Sequence, residues 1–313
     1  MRNLFEAAGV IGMICSTLAF AGRIHWIADL CANLRVQLLI GLLVTALASA
    51  FSRRFRIAAL QLVFAAATLP ALSFGIPRTS EAGGTVLLRV TTANVLTTNR
   101  RYDDIQAEIL EMNPDVVAIV ELGEGLARHL GADFQTQYRF SNTSPDDHGN
   151  FGIGLYSRYP LEDCVRLDLL EDDLPTLAAT VVKDDQRFHV VAVHTLPPMS
   201  DARFRHRNDH LKQVAAYVTS RRNNHPKIPV VVMGDFNLTP WSPIYHQFAA
   251  EAGLTSDRLL NWKPTWYAFP GFPFGLVLDH VFTTADLTSI GRNVSPEAGS
   301  DHRFVTVDLA GFE

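Results

Sequence analysis

A chain of 313 residues with 48% hydrophobic content and a formal net charge of −5 has room for one large domain or two smaller ones. Its three cysteines, Cys15, Cys31 and Cys164, exclude a disulfide framework and a cysteine-based zinc site. The charge is unevenly divided. The first 80 residues carry seven arginines against Glu6 and Asp29, leaving the remainder at −10, a poor grip for long duplex nucleic acid.

Three apolar runs, at about 4–22, 36–51 and 57–76, open the chain and predict a transmembrane region over residues 1–76. A bilayer core of ~30 Å needs about 20 apolar residues in a helix, a length the first and third runs meet. Two other readings compete. Residues 1–22 could form a cleaved signal peptide, with "ALASA" at 46–50 as a small-residue cleavage site, or all three runs could be buried core helices. Arginines at 53, 54 and 56 followed by another long apolar run argue against secretion, and the lack of a polar face argues against core helices. Arg53, Arg54, Arg56 and Arg2 assign their side to the cytoplasm. The first loop, with Arg23, Asp29 and Arg35, and everything after the third run then lie outside. In a bacterial cell this predicts a multi-pass inner-membrane protein with a periplasmic soluble part.

A short linker, "PRTSEAGG" over 77–84, leads to a domain spanning 85–313. Strands and helices alternate from there. Residues 86–95 read as a strand, 102–113 as a helix with Ile105, Ile109 and Met112 on one face, and 114–122 as a buried strand. Strands follow at 152–157, 176–183 and 187–195, then a helix over 203–222 with Phe204, Leu211, Val214 and Val218 on its apolar side. That helix feeds the strand "VVVMGDFN" at 230–237. Late strands occupy 278–284 and 304–309. This alternation predicts a layered α/β fold with two sheets face to face and helices outside.

Polar residues end these strands in an unusual concentration: Asn94, Glu121, His194, Asp235 and Asn237, with Asp279 inside "GLVLDHVF" and Asp301 and His302 in "GSDHRFV". Asx and Gly at strand ends are usually turn formers, so each alone has a structural reading. Several acids on buried strands are costly without partners or a cation. Oxygen ligands in this number, without cysteine, suit Mg²⁺ or Mn²⁺.

The ordered set Asn94, Glu121, His194, "GDFN" (234–237), "LDH" (278–280) and "SDH" (300–302) resembles the endonuclease/exonuclease/phosphatase superfamily. "GNFGIGLYSRYPL" (149–161) and the "TW" of 265–266 look like its secondary landmarks. The resemblance covers residues 86–310. It implies a four-layered αββα sandwich of the deoxyribonuclease I-like kind and metal-dependent hydrolysis of phosphoesters, with nucleic acid, phospholipid or sugar phosphate as substrate and the bilayer as a further partner; no protein partner can be predicted. By the same resemblance Glu121 is the first choice to hold the cation, with Asn94 and Asp301 completing its site or a second one. Asp235, helped by Asn237, would orient or deprotonate the attacking water; His302 would pair with Asp279; His194 would donate to a phosphate oxygen. Either Asp235 or the His302–Asp279 pair could serve as base. Arg207 and Tyr156 are candidates for phosphate contact, against readings as a solvated helix face, shared with Arg203, His206 and His210, and a core strand residue. Leu96 stands where abasic-site nucleases of this superfamily carry an acid. The rival reading is a catalytically silent, membrane-anchored binding or signalling module on the same fold.

Overall fold

The computed structural model describes residues 2–73, 84–130, 132–170, 174–256, 263–269 and 274–311. The chain packs as two compact units. The first comprises Met1–Ile76, Pro197–Asn208 and Leu238–Gln247; the second comprises Pro77–Leu196, Asp209–Asn237 and Phe248–Glu313. Two later segments thus join the N-terminal unit, which the sequence reading had closed at residue 76. The expected linker, apart from Gly84, lies outside the described residues.

Among the described residues four α-helices build the N-terminal part of the first unit: α1 (Arg2–Leu18), α2 (Trp26–Asn33), α3 (Arg35–Phe51) and α4 (Phe55–Ser73). Among the described residues α4 alone is a single helix long and apolar enough to cross a bilayer, over Phe55–Leu72. The first run passes that test only together with α2, as a pair bent by 110°, and α3 is shorter. By length and composition the described helices thus give one or two candidate spans, against the three expected. Helix α2 sits where a simple loop was expected, capped by His25, whose Nδ1 accepts from the Ile27 amide at 3.2 Å.

The polarity of these helices is inverted. Ser16, Thr45, Ser49, Gln61 and Thr68 are buried, whereas Ile11, Ile14, Leu47, Val63 and Leu69 are exposed. Ser49 Oγ donates to Gln61 Oε1 at 3.1 Å, and Thr45 and Thr68 bond back to carbonyls of their own helices.

One buried ion pair organises the rest of the first unit. Asp29 on α2 and Arg207 are both fully buried, with Arg207 Nη1 donating to Asp29 Oδ2 at 2.8 Å. Ser242 Oγ donates to Asp29 Oδ1 at 3.1 Å. One turn on, Asn33 Oδ1 accepts from the Thr239 amide at 2.7 Å and from Thr239 Oγ1 at 3.0 Å, and its carbonyl accepts from Trp241 Nε1 at 2.9 Å.

Among the described residues the second unit contains twelve strands in two sheets. In chain order they are β1 (Leu88–Asn94), β2 (Val116–Val120), β3 (Phe140–Ser144), β4 (Ile153–Ser157), β5 (Leu161–Leu167), β6 (Thr176–Lys183), β7 (Gln186–His194), β8 (Val230–Asp235), β9 (Thr255–Ser256), β10 (Asp279–Thr283), β11 (Leu287–Val294) and β12 (Val305–Gly311). The first sheet runs β11-β12-β1-β2-β4-β3 and the second β5-β6-β7-β8-β10-β9. Each has one parallel pair at its centre, β1 with β2 and β7 with β8. A parallel pair needs a crossover, which is why a helix intervenes in each case.

Side chains alternate across a strand, and the alternation sorts two layers. Leu88 and Val90, then Val116, Ala118 and Val120, face Ala192, Val231, Met233 and Val281 in the core between the sheets. The opposite face of the first sheet, including Ala93, Val117 and Ile119, meets α5 (Tyr102–Met112), α6 (Glu124–His129) and α7 (Ala132–Gln137). On the second sheet the outer face is partly polar and meets α8 (Asp201–Asn224): Thr176 Oγ1 lies 2.8 Å from His210 Nε2, and His189 Nε2 lies 3.0 Å from the Tyr217 hydroxyl. Helix α9 (Pro243–Ala252) brings Phe248 against Phe236 and Phe282. The unit is an αββα sandwich, as expected.

Removing one partner of a buried ion pair strands the other charge, at a cost of about 3–5 kcal/mol. Asp29→Ala is therefore expected to lower the melting temperature of the purified protein substantially, with Glu6→Ala, which removes a half-exposed pair with Arg54, as the mild control.

Candidate active site

The period-two alternation that fills the core continues to the strand ends, where it changes chemistry. After Leu88 and Val90 the same face of β1 reaches Asn94. After Val190 and Ala192 it reaches His194 on β7, and after Val231 and Met233 it reaches Asp235 on β8. On β10 the inward set is Val281 and Asp279. The inter-sheet core therefore ends in a polar rim at one edge. Pairing aligns that rim: His194 is opposite Asp235 in the parallel β7–β8 ladder, and Asp235 is opposite Asp279 in the antiparallel β8–β10 ladder. One row across three strands reads His194, Asp235, Asp279.

Asn94 joins the two sheets. Its Nδ2 donates to Glu121 Oε1 at 3.0 Å and to Asp235 Oδ2 at 3.1 Å, while its Oδ1 accepts the Leu96 amide. Glu121 Oε2 takes the Thr97 amide at 3.1 Å. Asp235 Oδ1 accepts the Asn237 amide at 2.9 Å, and Asn237 Nδ2 donates to the Thr195 carbonyl at 2.9 Å. His302 Nδ1 bonds Asp279 Oδ2 at 2.9 Å, and its Nε2 lies 3.6 Å from Asp235 Oδ2. His194 Nε2 approaches the same oxygen at 3.8 Å, beside the Phe151 ring. Asp301 is held from the side by Trp266 Nε1 at 2.8 Å.

The backbone is strained at the same places. Glu121 has φ 60°, Asn237 φ 49° and Leu96 φ 60°. Left-handed conformations at non-glycine residues cost about 1–3 kcal/mol and persist where the surroundings impose them. Asn tolerates that region; Glu does not, so the carboxylate at 121 is kept against local preference. Gly234, with φ 152°, is a different case. A Cβ there would lie 1.7 Å from the Val193 carbonyl, so only glycine permits β7 and β8 to close up beside Asp235.

Burial dominates the electrostatics. It raises the Glu121 carboxyl despite the bonds from Asn94 and Thr97. It raises Asp235 as well, Asp279 adding to the effect and His302 opposing it. Burial pushes His194 down to about 3, so that imidazole is neutral. For His302 burial also disfavours charge, but the Asp279 and Asp235 carboxylates outweigh it and raise the imidazolium to about 10. Three carboxyl groups and two imidazoles thus share one buried edge.

Two donor sets could hold a metal ion. Ligand atoms of Asp235, Asp279 and His302 lie within 4.8 Å of one another. The second set is the hard oxygens of Glu121 and Asp301 together with Asn94, whose Nδ2 rather than Oδ1 faces Glu121. Either way the residues fit a divalent cation, because Asp279 Oδ1 is buried without a hydrogen-bond partner and Glu121 is desolvated.

Eight of the ten residues singled out in the sequence gather at this edge. Two do not. Arg207 has zero exposure and its guanidinium is bonded to Asp29 and Asn208, which leaves no face for a phosphate. The solvated-face reading of its helix fails too, since His210 is also buried, although Arg203 is exposed. Tyr156 packs edge-on against Phe134 in the helix-covered core of the first sheet, and burial raises its phenol further. Sequence reading missed the hydroxyls that hold the rim. Thr265 Oγ1 accepts the Leu278 and Asp279 amides, and Ser300 Oγ donates to the Asn94 carbonyl and accepts the His302 amide. Both lie inside short words already noted, "TW" and "SDH", but a hydroxyl that serves backbone leaves no periodic signal.

A family model described as "Endonuclease/Exonuclease/phosphatase family" matches residues 91–302. No curated protein matches the chain in sequence. Among solved structures, an endonuclease/exonuclease/phosphatase from Beutenbergia cavernae is similar with 24% identity and a TM-score of 0.57, covering 72% of this chain and 71% of that one. The human Nocturnin catalytic domain with bound sulfate has 20% identity and a TM-score of 0.60, covering 73% of this chain and 97% of its own. A 3'-5' exonuclease from Neisseria meningitidis has 21% identity and a TM-score of 0.58, covering 71% and 100%. At these identities the likeness is one of fold.

A histidine raised from 6.5 to about 10 on folding contributes stability that is full below about pH 6.5 and is lost as pH rises through about 10. The cation-free protein should therefore lose melting temperature across that window. Asp279→Asn should move the His302 titration, followed by NMR, to lower pH.

Proposed function

We propose that this chain, which belongs to the endonuclease/exonuclease/phosphatase family, is a divalent-metal-dependent phosphoesterase anchored in a membrane. The observation that carries the reading is the polar rim itself: one amide, Asn94, bonded to carboxylates on both sheets beside a carboxylate–imidazole pair. Structural neighbours whose names include a 3'-5' exonuclease and a 3' phosphatase support phosphoester chemistry.

Glu121, with Asn94 and Asp301, would hold Mg²⁺ or Mn²⁺. A bound divalent cation would neutralise phosphate charge and steady the departing oxygen. Asp235, its carboxyl raised toward neutrality, is suited to take a proton from the attacking water, while Asn237 pins the loop that carries it. His302, kept cationic by Asp279, presents positive charge toward the developing phosphorane oxygens. Neutral His194 donates a hydrogen bond to the same region. Asp235 is accordingly the proposed base, with the His302–Asp279 pair as the alternative. Substrates in the class are phosphodiesters or phosphomonoesters of nucleic acid, phospholipid or sugar phosphate.

Membrane anchoring is supported by the inverted polarity of α1, α3 and α4, whose exposed sides are apolar. Arg53 and Arg54 join α3 to α4, whose first turn carries Arg56, and the positive-inside rule assigns all three to the cytoplasm. Helix α2 joins the opposite ends of α1 and α3 and is bonded to Thr239, Trp241, Ser242 and Arg207, so those residues share its side. In a bacterial inner membrane that side is periplasmic.

Full-length protein in detergent should hydrolyse bis(p-nitrophenyl) phosphate with Mg²⁺ or Mn²⁺, lose the activity in EDTA, and melt at higher temperature when the cation is present. Asp235→Asn and His302→Gln should each lower kcat/KM by about 1,000-fold, within the range of general acid–base contributions; unchanged rates in both would remove the assignment. An alkaline phosphatase fusion after Glu313 should be active, and a cytoplasm-dependent reporter silent. The reverse pattern would invert the topology.

A further inference from the structure

Both strands of the parallel pair β7–β8 run from a site residue directly into the first unit. His194 is followed by Thr195 and Leu196, and the first unit resumes at Pro197; Asp235 is followed by Phe236 and Asn237, and it resumes at Leu238. The two exits are tied to each other: Thr195 N donates to the Asp235 carbonyl at 3.1 Å, Thr195 Oγ1 to the Phe236 carbonyl at 2.7 Å, and Asn237 Nδ2 to the Thr195 carbonyl at 2.9 Å. Beyond the exits, both segments are fixed by one element. On the β7 side Arg207 pairs with Asp29; on the β8 side Thr239 and Trp241 bond Asn33, and Ser242 bonds Asp29. Asp29 and Asn33 are one turn apart on α2.

We infer that α2 is a positioning element for the site, holding through Asn33 and Asp29 the two segments that leave the reacting side chains. The inference rests on the proposed phosphoesterase reading for its activity arm. Its physical basis is reach. Asn237 and Thr239 are two residues apart, so at most ~7 Å of extended chain separates the strained, water-handling Asn237 from the residue that α2 grips. Asn237 holds φ 49° only while its neighbours fix it. The bonds to Thr239 are also unusual for a surface attachment: both the amide and the hydroxyl converge on one acceptor, Asn33 Oδ1, at 2.7 and 3.0 Å, with every participant buried. An anchor that only tethered the second unit would need no such register. Residues 26–33 also lie before the family match, which begins at residue 91, so this support is built from a part of the chain that the family model does not describe.

The test uses the full-length protein in detergent and reads turnover and amide hydrogen exchange together. Asn33→Ala should lower kcat for bis(p-nitrophenyl) phosphate by about 10- to 100-fold, in line with the cost of a displacement near 1 Å, and change KM less than about 3-fold. Exchange should rise at residues 236–242 and stay as in the wild type along β8. Trp241→Phe, which keeps an aromatic ring and loses the indole N–H bonded to Asn33, should shift both readouts the same way but less. Thr239→Ser, which keeps the hydroxyl, should retain the wild-type rate. Unchanged kcat and unchanged exchange at 236–242 in Asn33→Ala overturn the inference. If that variant unfolds, Trp241→Phe decides by the same criterion. If wild-type protein has no turnover, the phosphoesterase reading fails by itself, and the exchange pattern alone decides whether α2 holds the loop.

Discussion

A single primary amide holds this site together. Asn94 Nδ2 bonds Glu121 from its own sheet and Asp235 from the other, so two buried carboxylates that would repel each other share one donor. The arrangement follows from elementary packing. Two sheets that bury apolar side chains against each other must end somewhere, and the inward positions at that end are still partly shielded from water. Placing Asn94, His194, Asp235 and Asp279 there keeps their electrostatic interactions strong and their geometry fixed by the same ladders that build the core. The cost is visible in the raised carboxyls of Glu121 and Asp235 and in the left-handed backbone at residues 121 and 237. A fold selected for stability alone would carry neither.

What could be read from the sequence, and what could not, divides along physical lines. The central strands were legible because both their faces are buried and their apolar runs are continuous: β2 is wholly Val, Ala and Ile, β7 holds "VVAV" and β8 opens on "VVVM". The four strands that went unrecognised, β3, β5, β9 and β11, include every sheet edge. Edge strands carry polar and charged residues that discourage further pairing, and "LEDCVRL" of β5 or "FSNTS" of β3 gives no period-two signal. The rim residues stood out because an acid at the end of an apolar strand contradicts its context. Arg207 misled for the converse reason. Its spacing on a helix is that of a solvated stripe, and nothing local reveals a carboxylate 178 residues earlier that buries it.

Helix α2 was the other feature invisible to local reading. A single residue, Leu34, separates it from α3, and its eight residues hold Asp29 and Asn33, which look like loop chemistry in an otherwise apolar region. Their meaning lies in what they bond. The inverted polarity of the helical unit, with hydroxyls and an amide inside and aliphatic groups outside, is likewise a property of packing that hydropathy alone does not distinguish from a greasy run.

The discontinuity of the first unit has a consequence for biogenesis. As the chain emerges from the ribosome, α1 to α4 are complete long before Arg207 and the Thr239–Ser242 segment exist. Until then Asp29 has no counter-charge and Asn33 no amide to receive. The helical unit can therefore reach its final packing only after the sandwich strands up to β8 have been made, which sets an order of assembly opposite to that of a chain whose domains mature one after another from the N-terminus.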